Sequence, residues 1–307
     1  MLKEDKRILS RDGKTQLHLI TWQPEKEPKA IVQLVHGMAE HMDIYHDFAV
    51  YLTQRGYAVI GHDHLGHGQS LTSPDKLGFF AEKDGNKILI QDMFQVTEYA
   101  KTLWPGKKLF ILGHSMGSFL VRRYLTLHSR DIDAAVIMGT GNQPALASAI
   151  GLKIAKRAKK KNGPMSYSKT LNNMALGSNN KPFKPNRTPF DWLSRNEENV
   201  DRYMADRLCG FDFTVSAWAD FFQVLQELAH QEDVDGLVKS LPILITSGEL
   251  DPVGGEKGCK AVLAKYQKLG MKDVLLKLYP EDRHEIINEL DRDKAFKDLG
   301  AWFGSKK

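Results

Sequence analysis

Gly113-His114-Ser115-Met116-Gly117 follows the apolar run Lys107–Leu112 and precedes a helix-like stretch, Phe119–Leu127. A G-x-S-x-G pentapeptide between a strand and a helix marks a sharp turn that holds its Ser exposed as a nucleophile. Such a turn strains the Ser backbone, which proteins tolerate mainly at functional sites. Side chains at positions 113 and 117 would collide with the neighbouring strand and helix, so Gly suits both. The turn also leaves Ser115 at a helix start, where free N–H groups and the positive end of the helix dipole favour a developing oxyanion.

The flanking sequence has the matching rhythm. Arg7–Ser10 and Thr15–Trp22 read as strands joined by a hairpin at Asp12-Gly13. Ala30–Val35 is an apolar strand, Ile44–Arg55 a helix stopped at Gly56, and Tyr57–Ile60 the next strand. Lys87–Leu103 reads as a helix, Lys108–Leu112 as a strand, Gly117–Leu127 as a helix and Ala134–Met138 as a strand. From about Gly141 to Gly236 the alternation stops. That segment holds a basic run, the Pro-rich stretch Lys181–Pro189 and an apolar helix over Thr214–Leu228. Alternation resumes with Leu241–Thr246, Glu256–Leu269, Val274–Tyr279 and Asp291–Trp302. Strands alternating with helices predict an α/β fold, a mostly parallel sheet covered on both faces.

Composition narrows the class. The 307 residues are 42% hydrophobic and 26% charged, an ordinary globular balance. No apolar run approaches the roughly 20 residues a membrane span needs. Met1–Lys6 is charged and lacks the apolar core of a signal peptide. Cys209 and Cys259 form no motif, which points to a reducing, cytoplasmic setting. The net charge is +5, but Lys153, Lys156, Arg157, Lys159, Lys160 and Lys161 alone carry +6, leaving −1 for the rest. A nucleic-acid binder spreads basic residues along a groove with interleaved aromatics, so no nucleic-acid partner is expected. Ile150 and Ile154 lie among these basic residues at helical spacing. Two readings stand: a solvated helix end, or an amphipathic segment, 153–161, making transient contact with an anionic membrane surface.

A Ser hydroxyl needs a base to take its proton. His284 lies in a polar loop after Val274–Tyr279 and is the candidate. The imidazole in turn needs a carboxylate to hold its tautomer. Asp251 follows a strand in Gly248-Glu249-Leu250-Asp251-Pro252-Val253 and is favoured, with Glu249 and Asp282 as rivals. The order Ser, Asp, His is the one this elbow carries. Oxyanion donors would be the backbone N–H groups of Met116 and of Met38, the latter in the loop His36-Gly37-Met38-Ala39-Glu40-His41.

Together with Asp63-His64-Leu65-Gly66-His67-Gly68-Gln69-Ser70, these motifs span nearly the whole chain. The chain resembles the α/β-hydrolases of the monoacylglycerol lipase and lysophospholipase group, which overlaps with the serine aminopeptidase-like hydrolases. The resemblance implies a core sheet of about eight strands, with a helical cap inserted after the sixth. Residues 1–140 and 239–307 would then form the core and 141–238 the cap. It also implies a serine esterase acting on a lipid-like carboxylic ester through an acyl-enzyme, without a cofactor.

The cap has no matching motif, but it is rich in apolar residues. Along its later helix Trp218, Phe222 and Leu225 share one face, widened by Phe221 and Val224, and Trp218 and Phe222 are expected to line an acyl-chain site. An aminopeptidase would instead need an acid in the cap to hold the substrate ammonium; Glu197, Glu198, Asp201 and Asp212 are available. A ligand-binding homologue without turnover is a third reading. His62, His64 and His67 have metal-like spacing, but Gly66 stands where the metallo-hydrolase motif needs Asp, so no metal is expected. Asp63 reads as an organiser of its loop.

Overall fold

Eight strands form one sheet in the order β1-β2-β4-β3-β5-β6-β7-β8. The computed structural model describes residues 1–231 and 236–306. The strands are β1 (Leu2–Leu9), β2 (Gln16–Gln23), β3 (Ala30–Val35), β4 (Tyr57–His62), β5 (Leu109–His114), β6 (Ala134–Met138), β7 (Ile243–Gly248) and β8 (Val274–Tyr279). From β4 to β8 all neighbours are parallel, while β1 and β2 pair antiparallel with each other, and β2 antiparallel with β4. β3, β4, β5, β6 and β7 are buried at every residue, as parallel strands covered on both faces must be.

Alternate residues of these strands feed two cores. Leu109 and Ile111 of β5 and Ala135 and Ile137 of β6 face one core. Phe110, Leu112, Val136 and Met138 face the other. The first core is covered by α2 (Gly85–Leu103), α3 (Met116–His128) and α8 (Gly255–Lys268), the second by α1 (His46–Gln54) and α9 (Arg292–Ser305). This is the expected eight-stranded, mostly parallel sheet with helices on both faces.

Two boundaries differ from the sequence reading. The first strand begins at Leu2 rather than Arg7 and pairs along its length with β2, from Leu2↔Gln23 to Leu9↔Gln16. Its charged outer half suits an edge strand, whose solvent face needs no apolar residues. The helix expected from Ile44 begins as a tight 3₁₀ turn, Met42–Tyr45, before α1. The hairpin at Asp12-Gly13 forms as expected. The Asp12 carboxylate accepts the N–H groups of Lys14 and Thr15, each at 2.8 Å, and Gly13 takes φ +77°.

Between β6 and β7 the chain adds no strand among the described residues. It forms α4 (Ala145–Asn162), α5 (Lys169–Leu176), α6 (Glu197–Ala205) and α7 (Val215–Gln231). Residues 232–235 of the expected cap lie outside the described residues. α7 rests on α2 and α3, where the Glu227 carboxylate accepts Asn86 Nδ2 at 3.1 Å and Arg123 Nε at 2.6 Å. Among the described residues no helix is long and apolar enough to cross a membrane.

Candidate active site

β5 delivers the chain to Ser115 and α3 carries it away. Ser115 has φ +52°, ψ −122°, a conformation that costs free energy for any residue with a Cβ. The close packing explains the two glycines. A Cβ on Gly113 would lie 2.3 Å from the Gly117 carbonyl oxygen, and one on Gly117 would lie 2.2 Å from that of Val35. Ser115 is pinned by its N–H, which donates to Met138 O at 2.9 Å.

Asp251 and His284 meet at the ends of β7 and β8. His284 Nδ1 lies 2.9 Å from Asp251 Oδ1, and both side chains are buried. The carboxylate also accepts Ser247 Oγ and the Val253 N–H, each at 2.8 Å. Burial alone would raise the Asp251 pKa, but His284 and these donors outweigh it and hold the carboxyl below its usual range. His284 Nε2 is buried without a hydrogen-bond partner among the described residues, and His284 and Ser115 line the same cavity. The rival acids are placed elsewhere. Glu249 is exposed, and Asp282 is paired with Arg195.

The loop after β3 passes directly over the elbow: a Cβ on Gly37 would lie 2.9 Å from Ser115 Cβ. Ala39 turns it with φ +53°. Met38 and Met116 line the cavity beside Ser115 and His284. Met116 opens α3, so its N–H has no carbonyl within the helix to bond.

Two buried, ionisable neighbours of Ser115 and His284 were not foreseen. Glu40 accepts the Gly37 N–H and, at 2.6 Å, the Tyr45 hydroxyl. Its Oε1 lies 3.4 Å from His114 Nδ1, while His114 Nε2 lies 3.2 Å from His284 O. Burial opposes both charges, yet the pairing wins: the Glu40 carboxyl falls to about 2 and the His114 imidazole rises above its usual value. Both residues stand inside the two quoted motifs, and that adjacency was the only signal in the sequence.

The cavity measures about 550 Å³. Trp218 and Phe222 line it with ring centroids 5.6 Å apart, joined by Phe119 and Phe221. Trp192, one of the apolar residues between β6 and β7, lies 5.0 Å from the His284 ring. Of the candidate ammonium-binding acids only Asp212 lines this cavity; Glu197 and Asp201 pair with Arg187.

His62, His64 and His67 pack with His36, whose ring lies 4.2 Å from that of His64. Burial first of all drives His62 and His67 down to about 3, and His64 far below its usual value. They act as neutral loop packing, with Ala39 N–H donating to His67 Nε2 at 3.2 Å. Asp63 holds this loop, accepting the N–H groups of Met42 and Gln69 at 2.8 Å. Among the described residues, His41, Asp206 and Cys209 bring metal-capable atoms within 4.8 Å of one another. His41 Nε2 is already bonded to Asp206 at 2.8 Å, and burial pushes the Cys209 thiol far up, so it packs as a neutral side chain against Leu193 and Tyr203.

The basic run lies on α4. Lys159 Nζ is used internally, donating to Ser216 Oγ at 2.9 Å. Lys153, Lys156, Arg157 and Lys160 line an outer groove, and Leu146 and Ile150 of the same helix stand 74% and 48% exposed, Ile150 also lining the cavity.

Known proteins share this plan. The chain is 25% identical over 291 residues to a monoacylglycerol lipase of Mycolicibacterium smegmatis, covering 92% of this chain and 91% of that protein. It is 27% identical over 311 residues to the monoglyceride lipase of Homo sapiens, covering 97% and 90%. Among solved structures, a thermostable carboxyl esterase from Bacillus coagulans superposes with a TM-score of 0.91 at 24% identity, covering 99% of each chain. A soluble variant of the Saccharomyces cerevisiae monoglyceride lipase superposes with 0.76 at 20% identity, covering 100% and 97%. The family model described as serine aminopeptidase, S33, matches residues 26–291, and the chain belongs to that family of α/β-hydrolases.

Proposed function

We propose that this chain is a serine hydrolase that cleaves carboxylic esters carrying an acyl chain, of the monoacylglycerol or lysophospholipid type, through an acyl-enzyme. One observation carries the reading. His284 is held by Asp251 at 2.9 Å on one nitrogen and is unpartnered on the other, and it lines one cavity together with the strained Ser115.

The chemistry follows from that geometry. Ser115 Oγ attacks the ester carbonyl as its proton passes to His284 Nε2. Asp251 keeps the Nδ1 proton in place and offsets the imidazolium charge. The carbonyl oxygen becomes an oxyanion and accepts the N–H groups of Met38 and Met116 at the positive end of α3. His284 then protonates the leaving alcohol. In the second half it deprotonates a water, which attacks the acyl-Ser115 and releases the acid.

Residues 141–238 act as a cap in this proposal. The apolar lining around Trp218 and Phe222 supports an acyl chain as the bound group, as do relatives named monoacylglycerol lipase and monoglyceride lipase, matched over 91% and 90% of their lengths. Exposed Leu146 and Ile150 beside basic residues of α4 support transient contact with an anionic lipid surface. Two free, buried cysteines support a reducing, cytoplasmic setting.

The test is Ser115→Ala. It should abolish hydrolysis of a short-chain p-nitrophenyl ester and labelling by a fluorophosphonate, with an unchanged circular dichroism spectrum. Full activity in that variant ends the proposal. The family description and Asp212 in the cavity favour one second reading, an aminopeptidase. Faster turnover of amino-acyl arylamides than of acyl esters would select it.

A further inference from the structure

The loop that carries His284 is held from the side by residues 191–199, which belong to the segment between β6 and β7. Glu285 N–H donates to Leu193 O at 2.8 Å, and Asn199 Nδ2 donates to Glu285 Oε2 at 2.7 Å. Asn196 Nδ2 donates to Asn288 O at 3.3 Å, and the Arg283 guanidinium donates to Asp191 O and Ser194 O.

Arg195 sits at the centre of this seam. Its backbone N–H donates to the two Glu289 oxygens, at 3.0 and 3.1 Å. Its guanidinium bonds Asp282, bonds Asp291 at 2.8 Å, and lies 3.4 Å from Glu289 without hydrogen-bond geometry and 3.7 Å from Glu281. The Asp282 and Glu289 side chains are only 2% and 0% exposed. These two carboxylates bracket His284 in sequence. Glu289 Oε1 also accepts the N–H of Arg283, the residue before His284, at 2.9 Å. Asp282 O accepts the N–H of Leu250, beside Asp251, at 3.1 Å. A shift of this loop therefore moves the base and its carboxylate partner together.

We propose that Arg195 is a positioning residue for His284, compensating the buried carboxylates of Asp282 and Glu289 and so fixing the loop that aims His284 Nε2 at the elbow. The proposal rests on the roles given above to Ser115, Asp251 and His284. Buried carboxylates without a cation either take up protons or pull the loop towards water. Residues 191–199 are thus a fixed wall of the site. Lifting them as part of an opening lid would strand both carboxylates.

Asp282 faces Arg195, Glu289, Asp291 and Tyr279 at the end of β8, and the same seam holds Glu281, beside Arg195, and Arg283, which faces Glu289, Asp191 and Arg195. Burial and the neighbouring acids already push the Asp282 carboxyl up to about 7 against the pull of Arg195, and without that cation its charge, once formed as pH rises, stands uncompensated in the loop. The variant-to-wild-type activity ratio then falls with pH.

The experiment compares Arg195→Met, Arg195→Lys and the double variant Arg195→Met/Asp282→Asn on a soluble short-chain p-nitrophenyl ester between pH 6 and 9, a span that begins below the raised Asp282 carboxyl, at about 7, and ends above it. Arg195→Met should lose about 100-fold in kcat at alkaline pH, the scale of a 1 Å misplacement, with KM changed by less than about threefold. The deficit should shrink towards pH 6, and fluorophosphonate labelling should slow in step with kcat. Arg195→Lys should recover most of the loss. The double variant, which removes one stranded charge, should recover about tenfold and stays informative if Arg195→Met does not fold. A loss that is independent of pH and rescued by neither variant overturns the proposal, as does activity in Arg195→Met within about threefold of wild type throughout. Wild-type protein with no Ser115-dependent turnover overturns the functional reading itself, and this proposal with it.

Discussion

Glu40 and His114 form a buried ion pair, 3.4 Å apart, that links the loop over Ser115 to the carbonyl of His284. Glu40 has its pKa held to about 2, so its stabilising charge is present above its unfolded value near 4.5 and is lost as pH falls towards 2. His114 has its pKa raised above 6.5, so its contribution is full below 6.5 and is lost as pH rises through the folded value. Both charges therefore contribute together between about pH 4.5 and 6.5. Glu40→Gln should destabilise the protein by about 3–5 kcal/mol in that window, with a smaller effect at pH 9. Chemical denaturation at several pH values checks this; a loss that grows with pH contradicts it.

Asp251→Asn should keep the fold and lower kcat by about 10⁴-fold, because the amide holds the wrong tautomer of His284. The same change at Asp282 or Glu249 should cost far less. If the equivalent carboxylate-to-amide change Glu249→Gln matched it, the 2.9 Å pair would not be the one that matters.

Gly37→Ala introduces a Cβ 2.7 Å from Glu40 Oε1 and 2.9 Å from Ser115 Cβ. The loop must retreat, which draws the Met38 N–H from the oxyanion. A kcat loss of about 10²–10³ is expected, with little change in KM. Steady-state kinetics on a short-chain ester decide it.

Gly151 of α4 packs against Phe222, and a Cβ there would lie 2.7 Å from two ring atoms. Gly151→Ala should push the ring into the cavity and move the preferred ester to a shorter chain. Phe222→Ala should move it to a longer one and cost about 3–5 kcal/mol of stability. Profiles of kcat/KM over esters of graded chain length test the pair. Unaltered profiles in both variants would place the acyl chain elsewhere.

Ile150→Glu and Leu146→Glu place charges on the exposed apolar positions of α4. Sedimentation with phosphatidylserine-containing vesicles should weaken, and salt should weaken wild-type binding too. Wild-type protein that ignores such vesicles removes membrane contact from the proposal.

Local signals were enough to read much of this protein from its sequence. The elbow, the rhythm of strands and helices and the Asp12-Gly13 turn depend on neighbours in the chain, where periodicity and glycine placement act directly. The order of Ser115, Asp251 and His284 is a property of the linear chain and needs no knowledge of contacts. Long-range pairing decided the rest. Leu2–Lys6 became strand because a partner lay beside it, against its own charged composition. Asp251 rather than Asp282 reached His284, while Arg195, 87 positions before Asp282, bonds the rival. Glu40 and His114 became an ion pair, Trp192 came to rest beside His284, and His62, His64 and His67 became neutral packing, because burial changes what a side chain can do. Backbone preference is set within a few residues, whereas charge state and side-chain partnership are set by whatever the fold brings close and shields from water.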